Sequence, residues 1–414
     1  MNLDPEFCPK LRNVDPLPVM VQGRQAIWLK DPLQLSDNKL CMERQALSML
    51  ALLDGKHSLR DIQERLTRQT GQLIFLDEIG TVLQKLDEAL LLDGSRFREV
   101  FQKKVDDYRK QPFRPSSHAG LSYSSDPEKL KNELNEYFAG NGGPGLPDFF
   151  TGTERPKGLV APHIDVRAGA SCFAQAYHAL ATGKPSDIYV ILGTGHAGVE
   201  RFFTATSLDF ETPLGTVHTE HDFVDALSDE LGRDAAAEEI LHANEHVIEF
   251  QLIFLQYLLS DKHSFSVVPI LCSFPHHIFD QDQTQQPDRI AFDQFCHAVR
   301  EVCRRTSKSV CFIASADLAH IGPRYGDNFV PHQGTISDVL EKDMESLGYL
   351  QKIDVQGFIR SVVREQDSRR ICGFPPITTM FHCMDAKQGQ LLSLDFAQVD
   401  DRNSFVSFTS MIFY

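Results

Sequence analysis

The sequence predicts a layered α/β fold: a central, mostly parallel or mixed sheet covered by helices, preceded by a small helical module of winged-helix-like order. Three observations carry this reading. Short apolar, β-branched runs stop abruptly at glycine or proline, as in Ile188-Tyr-Val-Ile-Leu-Gly-Thr-Gly-His196. Such a run marks a strand buried on both faces. From Gly158 onward these runs alternate with segments of helical period, the pattern of an α/β sheet. Finally, three of the runs end in the same way. The run 158–161 leads into Pro162-His163, 188–192 into His196, and 310–314 into Asp317 and His320. Open α/β sheets bind ligands beyond the carboxyl ends of their strands, so one composite polar site is expected there.

Composition narrows the function classes. The 414 residues include 57 acidic and 41 basic side chains, a formal net charge of −16. A non-specific nucleic-acid binder needs a basic footprint, so nucleic acid is not an expected partner. The nine cysteines form no C-x-x-C pair, which argues against a structural zinc site of that spacing. An odd number of scattered thiols fits a reduced, cytoplasmic protein. The segment Met1-Asn-Leu-Asp-Pro-Glu-Phe is acidic and lacks an apolar signal region. The most apolar helical stretch, 248–259, is interrupted by Glu249, Gln251 and Gln256 and is too short to span a bilayer. No membrane partner is expected.

In chain order, residues 1–24 read as an irregular, proline-containing segment. Residues 25–104 read as the first domain. Asp37 or Asn38 is placed to cap a helix over Cys41–Leu53, which Asp54-Gly55 stops. Ser58 starts a helix over 59–69, and a third covers 76–89 with Ile79, Val82, Leu83 and Leu86 on one face. Leu90-Leu-Leu-Asp-Gly94 reads as a hairpin-like strand and turn. This order resembles the small PqqD-like winged-helix modules. Residues 105–120 read as a linker, helical over the charged stretch Lys104–Lys110 and extended over the Pro/Ser-rich Gln111-Pro-Phe-Arg-Pro-Ser-Ser117.

Residues 121–414 form the α/β domain. Ser124 or Ser125 caps a helix over 127–139, with Pro127 near its first position. Strands are expected at 158–161, 187–192, 265–271 and 309–314, with shorter extended pieces at 202–207 and 210–215. Helices are expected at 170–182, 221–232, 245–259, 290–305, 334–347 and 354–363, and closing strands at Phe396 and 405–408.

Chemistry is sought at the strand ends. His163 and His196 are candidate imidazole ligands, the side chain most used for divalent transition metals. Two histidines and one carboxylate on an open face suit non-haem iron. Asp317 is the nearest carboxylate, and His320 follows three residues later. In Asn244-Glu245-His246-Val-Ile-Glu249, Asn244 caps a helix and Glu245 lies in its first turn. His246 and Glu249 share a face, so His246 could be a general base or a ligand oriented by a carboxylate. His276 and His277 read as exposed loop residues, and Cys272 and Cys311 as small core residues. No G-x-S-x-G, P-loop or G-x-G-x-x-G pattern stands at a strand–helix turn.

Several stretches together resemble the Memo family over about residues 114–414. They are Arg114-Pro-Ser-Ser-His-Ala-Gly-Leu-Ser-Tyr123, Asp126-Pro-Glu-Lys-Leu130, Ala161-Pro-His163 and Ile191-Leu-Gly-Thr-Gly-His196. Thr212-Pro-Leu-Gly215, Glu245-His246-x-x-Glu249, Pro269-Ile-Leu271, Ser315-Ala-Asp317-Leu-Ala-His320 and Ile371-Cys-Gly373 follow in order. The prokaryotic branch is known as AmmeMemoRadiSam system protein B. The resemblance implies a fold similar to class III extradiol ring-cleaving dioxygenases of the LigB type. It implies His163 and His196 as ligands of Fe(II), alternatively copper, and His246 as base. It implies either a metal-dependent enzyme or redox protein acting on a small oxygenated molecule, or a non-catalytic scaffold holding a peptide or protein. A radical-SAM protein is the implied partner. Animal members carry a third metal-binding cysteine at the place read here as Ala319, so a third donor is expected from Asp317 or His320. After His163 the chain runs Ile164-Asp165-Val166-Arg167, where the family usually has Ala-Gly-Tyr. Asp165 and Arg167, with Glu245, are therefore candidates to bind a charged substrate group, unless Asp165 and Arg167 pair with each other.

Overall fold

The structure is a computed structural model that describes residues 4–21, 23–33, 35–36, 40–43, 46–280 and 286–414. The chain divides into two compact units, Met1–Lys110 and Gln111–Tyr414.

In the first unit, β1 (Asp15–Val21), β2 (Arg24–Lys30) and β3 (Leu40–Glu43) form an antiparallel sheet in the order β1-β2-β3. Helices α1 (Leu47–Leu50), α2 (Leu59–Thr70), α3 (Leu76–Glu88) and α4 (Ser95–Arg109) follow. The Ser58 hydroxyl accepts from the Asp61 N–H while the Asp61 carboxylate accepts from the Ser58 N–H, and Gly71 closes α2 at φ 69°. Leu59, Ile62 and Leu66 of α2 meet Ile79, Leu83 and Leu86 of α3 in this unit's core.

Three expectations for this unit are corrected. Residues 15–21 are a strand, not an irregular lead. The helix expected over Cys41–Leu53 is instead β3 followed by the four-residue α1. Along β3 burial alternates residue by residue, with Leu40 and Met42 inward, so a period of two prevails over the helical period. Asp37 and Asn38 lie outside the described residues. At 90–94 there is one isolated bridge, Leu11 to Leu92, rather than a hairpin. The helix expected over the charged stretch 104–110 is present as the end of α4, which runs to Arg109.

The second unit contains β4 (Phe113–Arg114), α5 (Pro127–Ala139), β5 (Gly158–Ala161), α6 (Ala170–Thr182), β6 (Ile188–Thr194) and β7 (Phe203–Ala205). Next come β8 (Asp209–Thr212), β9 (Gly215–Val217), α7 (His221–Leu231), α8 (His246–Leu259), β10 (Ser266–Cys272) and α9 (Pro287–Arg305). It closes with β11 (Val310–Ser315), β12 (Asp317–Ile321), α10 (Gln333–Gln351), α11 (Val355–Arg364), α12 (Phe374–Cys383), β13 (Gly389–Gln398) and β14 (Phe405–Phe413).

The large sheet is mixed, in the order β12-β14-β5-β11-β6-β10-β7, with β13 also paired to β14. Its centre, β5-β11-β6-β10, is parallel; β14 and β7 join it antiparallel. Side chains of β6 alternate between two cores, as a period of two requires. Ile188, Val190 and Leu192 pack with residues of α9, α11 and α12. Tyr189 and Ile191 pack with residues of α5, α6 and α8. Each such fully buried side chain contributes about 1.5–3 kcal/mol, and coverage of both faces explains why these strands read as unbroken apolar runs. A second small sheet, β4-β8-β9, ties Phe113 and Arg114 to the body of the unit.

The parallel strands bring the carboxyl ends of β5, β6 and β11 to one rim. Two glycines allow the rim to close. A Cβ on Gly193 would come within 2.3 Å of Val247 Cγ2, so α8 starts against bare backbone. A Cβ on Gly373 would come within 2.4 Å of the Asp317 carbonyl oxygen, so α12 begins against the β11–β12 junction.

Candidate functional site

His163, His196 and His246 come from three elements and meet at this rim. Their ring centroids lie 5.3 Å (163 to 196), 5.6 Å (163 to 246) and 5.3 Å (196 to 246) apart. Cys372, the residue before the Gly373 cap of α12, completes the group, its Sγ 3.1 Å from His163 Nε2. Donor atoms of His163, His196 and Cys372 all lie within 4.8 Å of one another.

The surroundings fix these side chains. The buried His163 has Nδ1 3.0 Å from the Ser315 carbonyl. That nitrogen must donate, which leaves the Nε2 lone pair facing Cys372. The His163 N–H donates to Asp317 Oδ1 at 2.9 Å. Ser315 is held in turn by donating to the Val247 carbonyl and accepting from Gln251. Cys372 is placed by its carbonyl, which accepts from the Thr194 hydroxyl at 2.7 Å, and by the Gly373 N–H, which donates to the Asp317 carbonyl at 2.9 Å.

His196 Nδ1 faces both Glu245 oxygens at 3.1 Å, and its N–H donates to Oε2. Glu245 also caps α8 by accepting from the His246 N–H, with His246 Nδ1 3.1 Å from Oε1.

Burial and neighbouring charge set the protonation pattern. Desolvation opposes charge on the buried Glu245 and also on His196, although the His196 side chain is 41% exposed. Their mutual attraction overrides it, holding His196 well above and Glu245 well below their ordinary ranges. Burial, reinforced by the charge of the neighbouring imidazoles, keeps His163 well below its usual value. Burial also lowers His246, against the pull of Glu245. The Asp317 carboxyl is pushed up to about 7 by burial, against the hydrogen bonds it accepts from the His163 and Ile164 N–H groups. Burial raises the Cys372 thiol, which His196 opposes.

The other sequence-derived candidates occupy different places. His320 is held by its Nδ1, which contacts the carbonyls of Leu318 and Arg370, and its ring stands edge-on to Tyr325. Burial drops its pKa to about 4. Among the described residues it joins neither close donor group. Among the described residues, the side chain whose donor atom groups with those of both His163 and His196 is Cys372, from the Ile371-Cys-Gly373 stretch, while Asp317 Oδ2 lies 3.7 Å from His163 Nε2. Ala319 lies fully buried in a small core with Ile321, Val339 and Phe405.

Glu249 does not face the histidines as a free carboxylate. It is fully buried against Arg114, and it accepts from the Ser117 N–H and hydroxyl, the His118 N–H and the Tyr123 hydroxyl. Asp165 and Arg167 are exposed and do not pair through their side chains. Asp165 accepts from the Arg167 N–H, and the Arg167 guanidinium donates to the Leu121 carbonyl.

Sequence reasoning missed the segment 114–123 as part of this site. Arg114 reaches the His242 and Glu245 carbonyls as well as Glu249. It thereby brings His118 beside the cluster, with its ring centroid 5.3 Å from that of His246. The signal was present in Arg114-Pro-Ser-Ser-His118, but its Pro/Ser content imitates a spacer.

Comparisons with known proteins give the chain's family. The model of the Memo-like protein family matches residues 114–412, which include every residue of the cluster. A MEMO1 family protein of Aquifex aeolicus (strain VF5) is 28% identical over 93% of this chain and 95% of its own length, so that likeness extends into the first unit. MEMO1 family proteins of Methanopyrus kandleri and Saccharolobus solfataricus are 31% and 32% identical over 66% and 63% of this chain, and 88% and 83% of their own lengths. The chain belongs to the Memo-like protein family.

Proposed function

We propose that the protein is a metal-dependent enzyme or redox protein whose metal is held by His163, His196 and Cys372. The observation that carries this reading is the mutual approach of two imidazoles and one thiol within 4.8 Å at the end of a parallel sheet. Metal–nitrogen and metal–sulfur bonds of about 2.0 and 2.3 Å place ligands around one ion at separations of this order. Imidazole with thiolate is a soft-to-borderline donor set and suits iron or copper. Burial raises the Cys372 thiol, so the thiolate would form with the bound cation, helped by the amino end of α12 that follows it.

A bound ion would act as a Lewis acid on a small oxygenated substrate. The chain's own residues supply the rest. Ser315 fixes the His163 tautomer, and Glu245 orients His196. His246, kept neutral by burial, stands beside the donors and takes up or returns a proton through its imidazole.

Elemental analysis of protein purified without oxygen tests the assignment. About one iron or copper ion per chain is expected in the wild type and essentially none in the His163→Ala/His196→Ala double variant. Equal metal content in the two proteins contradicts it.

A further inference from the structure

We infer that the cleft holds a second metal site, built from His196, Glu245 and His246, with His196 bridging the two ions through its opposite ring nitrogens. The inference rests on the first site only for the bridge. Donor atoms of these three residues also lie within 4.8 Å of one another. Glu245 Oε1 is 3.1 Å from His196 Nδ1 and 3.1 Å from His246 Nδ1, and Oε2 is also 3.1 Å from His196 Nδ1. Separations near 3 Å are those of adjacent ligands about 2.1 Å from a common ion.

The geometry is unlike that of a carboxylate that merely orients one imidazole. Such a carboxylate accepts one linear bond from one ring. Here two rings stand nearly parallel, 12° apart, and both turn Nδ1 toward the same carboxylate. Glu245 is fixed by its place at the start of α8, and His246 follows it directly. Gly193 lets that helix start sit close to β6, which ends two residues before His196. In the metal-free state the Nδ1 protons occupy this position. A divalent ion replaces them: His196 loses its Nδ1 proton to solvent, and the His246 proton moves to Nε2. One proton is released for each ion bound at this site. Nitrogen and oxygen donors without sulfur select a harder ion than the Cys372 site.

Anaerobic titration of full-length apoprotein with Co(II) separates the two sites, since only a cysteine ligand gives a thiolate-to-cobalt charge-transfer band. Two equivalents are expected, one of them accompanied by the band. His246→Ala and Glu245→Gln should keep the band and lose the other equivalent, while Cys372→Ser should lose the band and keep one equivalent. Circular dichroism melting confirms that each variant is folded. A single equivalent with the band, unaffected by His246→Ala, overturns the second site and leaves the first. A single equivalent without the band overturns the first and supports the second. No binding overturns both.

Discussion

Glu245 and Glu249 lie one helical turn apart at the start of α8, and the structure uses them in opposite ways. Glu249 is sealed: it is fully buried, Arg114 neutralises it, and the N–H and O–H groups of residues 117–123 occupy its oxygens. Glu245 is turned toward the cleft, and its side-chain partners are two imidazoles that are partly open to solvent. One carboxylate clamps a loop onto the body of the domain; the other arranges two imidazoles at the cleft. The lesson is that Glu245-His246-x-x-Glu249 does not identify its chemical carboxylate by spacing. The number of fixed donors around each oxygen does.

The largest difference should appear in stability. Arg114→Met leaves a buried, unpaired carboxylate and should cost about 3–5 kcal/mol in chemical denaturation. Glu249→Gln should cost a similar amount, and the double variant less than the sum. If the single variants unfold like the wild type, the clamp has no energetic role.

A smaller effect belongs to His242, buried behind the clamp with Nε2 donating to the Thr204 carbonyl at 3.1 Å. Burial lowers its pKa to about 4, against about 6.5 in an unfolded chain. The imidazole is then neutral when folded, and the unfolded chain binds the proton first as pH falls. Its contribution is therefore complete above pH 6.5 and is lost between pH 6.5 and 4, by about 1.4 kcal/mol per pH unit. Denaturation curves of His242→Gln should show a shallower loss over that window. An unchanged slope would mean that His242 is protonated in the fold.

The smallest stability effect is expected on the open side of the comparison. Glu245→Gln keeps an oxygen to cap α8 and should cost only about 1 kcal/mol, while losing one of the two metal equivalents. Stability loss as large as that of Glu249→Gln, with normal metal uptake, would reverse the roles given to the two carboxylates.

Much of this arrangement was legible in the sequence. The runs ending before His163 and His196 are strands buried on both faces, and an apolar run bounded by glycine or proline has few other uses. The helix expected at 170–182 has those bounds in the structure, because Gly169 and Gly183 punctuate it. The convergence of His163 and His196 followed from parallel strands sharing one carboxyl rim; His246 joins them from the start of α8. Cys372 escaped because nothing local marks it. It follows a non-glycine residue at positive φ, Arg370 at 53°, and precedes a helix whose Pro375-Pro376 looks like a break but occupies the first turn, where no N–H is needed. No strand was expected at Asp317–Ile321, yet it pairs with β14. Arg114 and His118 were assigned to a linker because their order comes from Glu249, 135 and 131 residues away. Contacts at that separation leave no periodicity to read. In the first unit, four residues alternating in burial at 40–43 were too few to outweigh the helix-like leucines that follow.

The most direct measurement is X-ray absorption at the edge of the metal bound to the anaerobically purified protein. A sulfur scatterer at about 2.3 Å beside nitrogen scatterers is expected in the wild type, with the sulfur lost in Cys372→Ser. A first shell of nitrogen and oxygen alone in the wild type would contradict the assignment of Cys372 as the third ligand.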